Sequence, residues 1–308
     1  IPCFGLYLVP LAIFLYVFIF SDVLAHWNVN IRLFWPQKSY AENGQVITFI
    51  RSAQLSKIEK PENYSAKTVQ ELASQIREKF PAAPDGEYKK PNVIVVMNES
   101  FSDVQSLGPI STSEEALPFI HSLSENTIKG KAYVSVYGGK TANSEFEFLA
   151  GQSMFFLPSA SVAPYQLLIK APTAGITSAL INKGYQNTAA MHPNSPLNYN
   201  RSQVYPLFGF DKFISKEDFP DDKSLYVRNR ISDDADAKRI ISEYEEHRQA
   251  YDSPFYMFNV TMQNHSPYDT DYDNLPNTVK ITDPDCYDAD VERYLNLARL
   301  SDASLKTL

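Results

Sequence analysis

The sequence predicts an α/β domain whose mostly parallel sheet is flanked by helices, preceded by one membrane-spanning helix. Three observations carry that expectation. From Pro91 onward, short apolar runs rich in β-branched residues alternate with helix-patterned stretches, and the runs pass directly into polar residues, as buried parallel strands do at their carboxyl ends. Hydrophobic residues make up 44% and aromatics 13% of the 308 residues, with only 11 glycines, enough for a sizeable core and too apolar for a disordered or fibrous chain. The first twenty residues carry no charge at all. The 28 basic and 36 acidic residues leave a formal charge of −8, which excludes a basic nucleic-acid binder. Cys3 and Cys286 stand near opposite ends and make neither a disulfide framework nor a zinc ribbon.

Taken in chain order, Ile1 to Phe20 is long enough, at 1.5 Å per helical residue, to cover a hydrocarbon core of roughly 30 Å. A transmembrane helix is therefore expected over 1–21. A signal-peptide core usually runs about 7–15 residues behind a basic flank, which is not visible here. His26, Trp27, Arg32, Phe34, Trp35 and Lys38 then mix aromatic and basic groups in the manner of a segment at headgroup level. They open a membrane-proximal connector over 22–90. Within it, Val69, Leu72, Ile76 and Phe80 recur at spacings of three and four, which predicts an amphipathic helix from Tyr64 to Phe80. Pro81, Pro84, Asp85 and Gly86 end that helix and mark the boundary of a globular domain over 91–308. The chain starts without methionine and ends inside a helical pattern, so it reads as a fragment at both ends.

Four strands are predicted in the globular part. Asn92–Met97 delivers Asn98, Glu99, Ser100 and Asp103, and Ala132–Tyr137 runs through Gly138 and Gly139 into Lys140 and Thr141, where a helix opens. Gln186–Met191 delivers His192 and Asn194, and Phe255–Met262 delivers Gln263, Asn264 and His265. Helices are predicted over Thr173–Lys183, Asp234–Ala250 and Asp288–Leu308.

Open parallel sheets bind ligands beyond the carboxyl ends of their strands, so Glu99, Thr141, His192 and His265 are expected to meet in one crevice. Singly, each has a plainer reading as a loop carboxylate, a helix cap or a hydrogen-bonded loop histidine. Together they offer a hard oxygen ligand, a hydroxyl, and two imidazoles for metal ligation or proton transfer. A threonine hydroxyl becomes a nucleophile when its proton is removed or its alkoxide is stabilised, which a carboxylate-held divalent ion promotes. These parts suit transfer of a phosphoryl or sulfuryl group through a threonine ester.

Other motifs fail. Gly139-Lys140-Thr141 mimics the end of a P-loop, but its first glycine would fall at Val134. Asp269, Asp271 and Asp273 resemble a calcium loop whose glycine position is Asn274 and whose closing glutamate position is Lys280. No G-x-S-x-G elbow and no H-E-x-x-H helix occurs.

PNVIVVMNESFSD at 91–103, YGGKTANSEFEFLAG at 137–151, MHPN at 191–194, YNRSQVYPLFGFDKF at 199–213 and FNVTMQNHSPY at 258–268 resemble, in order, the lipoteichoic acid synthase-like phosphoglycerol transferases of the sulfatase/alkaline phosphatase superfamily. The resemblance runs from the apolar start to the last residue. It implies that superfamily's sheet, with Glu99 and Thr141 holding a Mn2+ or Mg2+ ion and Thr141 as nucleophile. Arg201 and His265 would hold the phosphoglycerol head group, and His192, Asn194 and Tyr199 would line the pocket. Arg201 suits that role because a guanidinium can pair with two phosphate oxygens. The implied reaction moves glycerophosphate from a phosphatidylglycerol-type membrane lipid to a polyol or glycan hydroxyl on the outer face of a bacterial membrane. Two features depart from the family: Tyr199 stands where a tryptophan is frequent, and the chain stops before a Gly-Asp-His motif that completes the metal site. A domain truncated at its C-terminus, inactive or weakly metal-binding, is therefore expected. A sulfatase-like hydrolase, a phosphoethanolamine transferase and a non-catalytic membrane-tethered binding domain are the competing expectations.

Overall fold

The computed structural model describes residues 3–32, 36–55, 60–81, 89–108, 110–136, 139–157 and 164–308. Phe34, Trp35, Pro84, Asp85, Gly86, Tyr137 and Gly138, singled out above, lie outside the described residues. Two compact units result, residues 1–89 with 153–163 and residues 90–152 with 164–308.

The first unit is helical: α1 (Cys3–Phe20), α2 (Val23–His26), α3 (Pro36–Asn43), α4 (Gln45–Leu55) and α5 (Ala66–Lys79). The uncharged run forms α1, which ends where the Ser21 hydroxyl turns back onto the Val17 carbonyl. The Gln54 amide of α4 donates to the carbonyls of Phe18 at 2.8 Å and Ser21 at 3.1 Å, satisfying acceptors that a helix end leaves open. The transmembrane expectation needs correcting here. No helix among the described residues is long and apolar enough to cross a membrane. Helix α5 is capped by the Ser65 hydroxyl, which accepts from the Thr68 amide at 3.1 Å, and its stripe of Val69, Leu72 and Ile76 is exposed.

The second unit holds β1 (Val93–Met97), α6 (Pro118–Ser122), α7 (Thr141–Ala150), α8 (Pro164–Leu167), α9 (Ile176–Ile181), β2 (Ala189–His192), α10 (Arg201–Leu207), β3 (Lys212–Ser215), β4 (Tyr226–Val227), β5 (Arg230–Ile231), α11 (Asp233–Ala250), β6 (Tyr256–Val260) and α12 (Ala289–Thr307). Strands β1, β6, β2 and β3 lie side by side in that order, all parallel, and β4 and β5 form a separate antiparallel pair. Every residue of β6 is buried. Met257 faces a cluster with Ala189, Met191, Ile214 and Ile240 of α11, whereas its neighbour Phe258 stacks on Phe148 of α7 at 5.7 Å and lies 6.3 Å from Phe210. The two-residue alternation of a strand thus fixes α11 on one face and α7 on the other. Each such side chain stabilises the layer by roughly 1.5–3 kcal/mol. On the α12 side, Leu295 and Ala298 join Ala116, Leu117, Val279 and Ile281 in a second cluster, and Asp302 accepts from the Phe119 and Ile120 amides at 2.8 and 2.9 Å, tying down the start of α6.

One predicted strand does not form. Residues 132–136 run without regular structure, and Tyr133 and Val134 are 93% and 58% exposed, so their strand-favouring side chains have no sheet to pack on. The fourth place in the sheet belongs to β3, paired with β2 from Lys212↔Ala189 to Ser215↔His192. The helix expected over 173–183 is shorter, because Gly175 caps it and its Ser178 hydroxyl closes back on the Gly175 amide at 3.0 Å. Gly175 is also where the chain crosses α7: a Cβ there would stand 1.9 Å from the Leu149 carbonyl oxygen.

Candidate active site

Because the four strands are parallel, their carboxyl ends share one edge, and Glu99, His192 and the loop after Val260 all emerge there. Glu99 is buried two residues past β1. Its amide donates to the Thr261 hydroxyl at 3.0 Å, and its Oε1 accepts from the Ser100 hydroxyl at 2.9 Å. Its other oxygen, Oε2, accepts from the Thr141 hydroxyl at 2.5 Å.

Thr141 is the first residue of α7, set there by a left-handed turn through Gly139 (φ +119°) and Lys140 (φ 67°). Only glycine takes the first of those conformations without strain. Ser100 (φ 49°), Tyr199 (φ 56°) and Asn200 (φ 62°) also have positive φ, each beside a residue of this edge. Non-glycine residues held there cost about 1–3 kcal/mol each and concentrate at sites where side-chain aim matters.

One turn along α7, Glu145 is fully buried and grips Arg201, the first residue of α10. Arg201 Nε donates to Glu145 Oε2 at 3.1 Å and Nη2 donates to Oε1, while the Tyr205 hydroxyl donates to Oε2 at 2.8 Å. Burial works against the charge on Arg201, but the Glu145 carboxylate outweighs it and holds the guanidinium pKa above its ordinary value. The two-pronged edge that could clasp a phosphate is therefore turned to Glu145. Arg201 also lies over the Tyr199 ring, 5.0 Å from its centre. Burial pushes the Tyr199 hydroxyl up to about 12, so it is a neutral donor.

His192, at the end of β2, is buried, and its Nδ1 meets the Val260 carbonyl at 2.8 Å. A carbonyl only accepts, so Nδ1 carries the hydrogen and Nε2 keeps a lone pair. Burial, reinforced by the Arg201 charge, lowers its pKa well below the usual value. Asn194 donates from its amide to the His192 carbonyl at 2.7 Å, and its side chain reaches the Met262 sulfur at 3.5 Å. His265 is half-buried, with Nδ1 on the Ser266 carbonyl at 2.8 Å.

The structure thus joins Glu99 to Thr141 directly, and Thr141 through α7 to Glu145, Arg201 and Tyr199. Glu145 escaped the sequence reading. Its signal is an acid four residues past the threonine, on the same helix face as Phe146 and Leu149, where an unpaired carboxylate is rarely tolerated. As metal donors, the Glu99 carboxylate and the Thr141 hydroxyl are two hard oxygens of the kind Mg2+ or Mn2+ takes. They fit one edge of such a shell. Among the described residues, no group of three or more His, Cys, Asp or Glu gathers to complete it.

A sulfatase family model matches residues 91–308. The chain is 32% identical over 283 residues to a putative cyclic beta-1,2-glucan modification protein of Rhizobium meliloti, covering 90% of this chain and 41% of that one. It is 28% identical over 231 residues to the lipoteichoic acid synthase of Staphylococcus saprophyticus, covering 72% and 34%. It therefore spans about two fifths or less of these relatives' lengths. Among solved structures, the Streptococcus pyogenes phosphoglycerol transferase GacH, in complex with sn-glycerol-1-phosphate, matches with a TM-score of 0.63 at 26% identity, covering 81% of this chain and 65% of that one. The lipoteichoic acid synthase LtaP of Listeria monocytogenes shares the fold, with a TM-score of 0.60 at 21% identity over 83% of this chain and 55% of its own.

Proposed function

The chain belongs to the sulfatase family, as a lipoteichoic acid synthase-like member of the sulfatase/alkaline phosphatase superfamily, and from that premise we propose that it transfers glycerophosphate from a phosphatidylglycerol-type lipid to an acceptor hydroxyl through an ester on Thr141. The observation that carries the reading is the Thr141 hydroxyl set 2.5 Å from Glu99 at the carboxyl edge of the sheet.

In the proposed first step, the Thr141 proton leaves along its hydrogen bond to Glu99 and Thr141 Oγ attacks phosphorus in line. The phosphorus–oxygen bond to diacylglycerol breaks, the departing oxygen takes up that proton from Glu99, and glycerophosphate stays on threonine. An acceptor hydroxyl then attacks the same phosphorus and gives its proton to Glu99, which passes it to Thr141 Oγ as that oxygen departs. Glu99 and Thr141 would be the chain's donors to a Mn2+ or Mg2+ ion, which when bound supplies positive charge at the attacking oxygen and the phosphoryl group. Neutral His192 offers a lone pair to a head-group hydroxyl, Asn194, Tyr199 and Arg201 wall the pocket, and His265 stands at its open side. The glucan named in the Rhizobium relative's description makes a glycan hydroxyl a natural acceptor. A lipid donor places the work at the outer face of a cell membrane.

The test follows glycerophosphate release and transfer from head-group-labelled phosphatidylglycerol, with Thr141→Ala beside the wild type and acid-quenched protein digested to find the ester. Label on Thr141 in the full-length wild type, and none with alanine, is the expected result. Transfer that survives in Thr141→Ala would end the threonine mechanism; cleavage of sulfate esters or phosphoethanolamine lipids in its place would assign a sibling chemistry.

A further inference from the structure

A phosphodiester is an anion, yet the arginine expected to greet it is already neutralised by Glu145, and Glu99 adds a negative charge beside the nucleophile. A second chain-borne cation beside the site would answer that charge. The β4–β5 pair carries two arginines with contrasting surroundings.

Arg228 spends its donors on the loop that bears His265: Nη1 donates to the Pro267 carbonyl at 2.8 Å, and Nη2 to those of Gln263 at 2.6 Å and His265 at 2.9 Å. It is a clamp. Arg230 is half-buried two residues on, and its Nη2 donates to the Ser266 carbonyl at 3.0 Å and stands 3.5 Å from His265 Nδ1. Its buried Nε has no partner, and neither has that of Arg228, so what separates the two is the number of carbonyls each holds. Among the described residues it makes no ion pair; burial lowers its pKa, and the Glu99 carboxylate works against that. A half-buried guanidinium without a counter-ion and with an idle inward donor is costly unless something anionic completes it.

We propose that Arg230 is a substrate-binding residue of this site, which with His265 receives a non-bridging oxygen of the substrate's phosphoryl group alongside Arg201. The inference rests on the transferase reading above and adds to it the residue that selects for anionic substrates. A guanidinium suits a phosphoryl oxygen because its charge is permanent and its planar donors keep a fixed geometry. Nothing in the sequence marks Arg230, since it comes from a hairpin outside the main sheet and reaches the edge only in the fold.

Calorimetric titration of the full chain with glycerol phosphate, and separately with inorganic phosphate, tests it in the wild type, Arg230→Gln and Arg230→Lys. Glutamine should weaken both anions roughly 10- to 100-fold, the loss expected for one charge-assisted hydrogen bond. Lysine should recover part of the affinity, and the wild-type advantage should shrink at high salt. The melting temperature should barely move, because Arg230 gives up one carbonyl bond. Equal affinity in wild type and Arg230→Gln overturns the proposal, as does a loss of affinity matched by a loss of fold. If the wild type binds neither anion, the proposal falls while the label-trapping test judges the transferase reading separately; if anion binding depends on Arg230 but no label is ever trapped on Thr141, only the covalent step falls.

Discussion

Replacing Glu145 with glutamine strikes the most heavily buried ion pair among the described residues. Both partners are at most 2% exposed, joined through two guanidinium donors, with Tyr205 as a third donor to the same carboxylate. Glutamine keeps the shape but leaves Arg201 positively charged with no counter-charge. Removing one partner of such a pair costs about 3–5 kcal/mol. For a domain of this size, 1 kcal/mol shifts the melting temperature by about 2–4 °C, so a fall on the order of 6–20 °C is expected. Arg201→Met should lose a similar amount, because it strands Glu145. The double variant Glu145→Met/Arg201→Met should recover most of it, since an apolar pair of similar volume pays no desolvation cost. Urea denaturation followed by near-ultraviolet circular dichroism measures the wild type, Glu145→Gln, Glu145→Met, Arg201→Met and the double variant. Single losses below about 1 kcal/mol, or losses that simply add in the double variant, would refute the claim that the pair is a coupled buried unit.

Two further outcomes follow from named contacts. Asp233, at the start of α11, is buried, and burial pushes its carboxyl up to about 6 despite a hydrogen bond from Ser301. An acid raised in the folded state above its ordinary value of about 3.9 favours folding while protonated, so its contribution to stability falls as pH rises from about 4 to 6, by up to about 3 kcal/mol. Asp233→Asn should flatten that part of the urea-midpoint profile relative to the wild type; identical profiles would exclude an ionising Asp233. Gly175→Ala should cost roughly 3 kcal/mol, because the added carbon meets the Leu149 carbonyl at 1.9 Å and neither is the end of a flexible side chain. An unchanged thermal melt would mean that α7 can move aside.

Continuous apolar runs made the centre of the sheet legible: β1 and β6 lie within the predicted strands, and the polar residues that end them stand at its carboxyl edge. Where burial and composition part company, the sequence misleads. Tyr133 and Val134 favour a strand but have nothing to pair with, whereas Lys212 to Ser215 is too short and too polar to announce β3, which its pairing with β2 alone creates. In the site, Glu99 and Thr141 were visible because each follows a local signal. Glu145 and Arg230 were not, because their roles depend on partners 56 and 35 residues away. The start of the chain shows the same limit: hydropathy revealed an uncharged run, while hydrogen bonds from Ser21 and Gln54 determined where its helix stops.

Helix α7 has a consequence for how this chain could be altered. Thr141 and Glu145 ride on a single rod, so inserting or deleting one residue ahead of it would rotate both by about 100°. The hydroxyl would swing off its carboxylate as the latch on Arg201 opened. Diversification is thereby steered toward the hairpin and the loops, whose side chains can be exchanged while that rod stays in register.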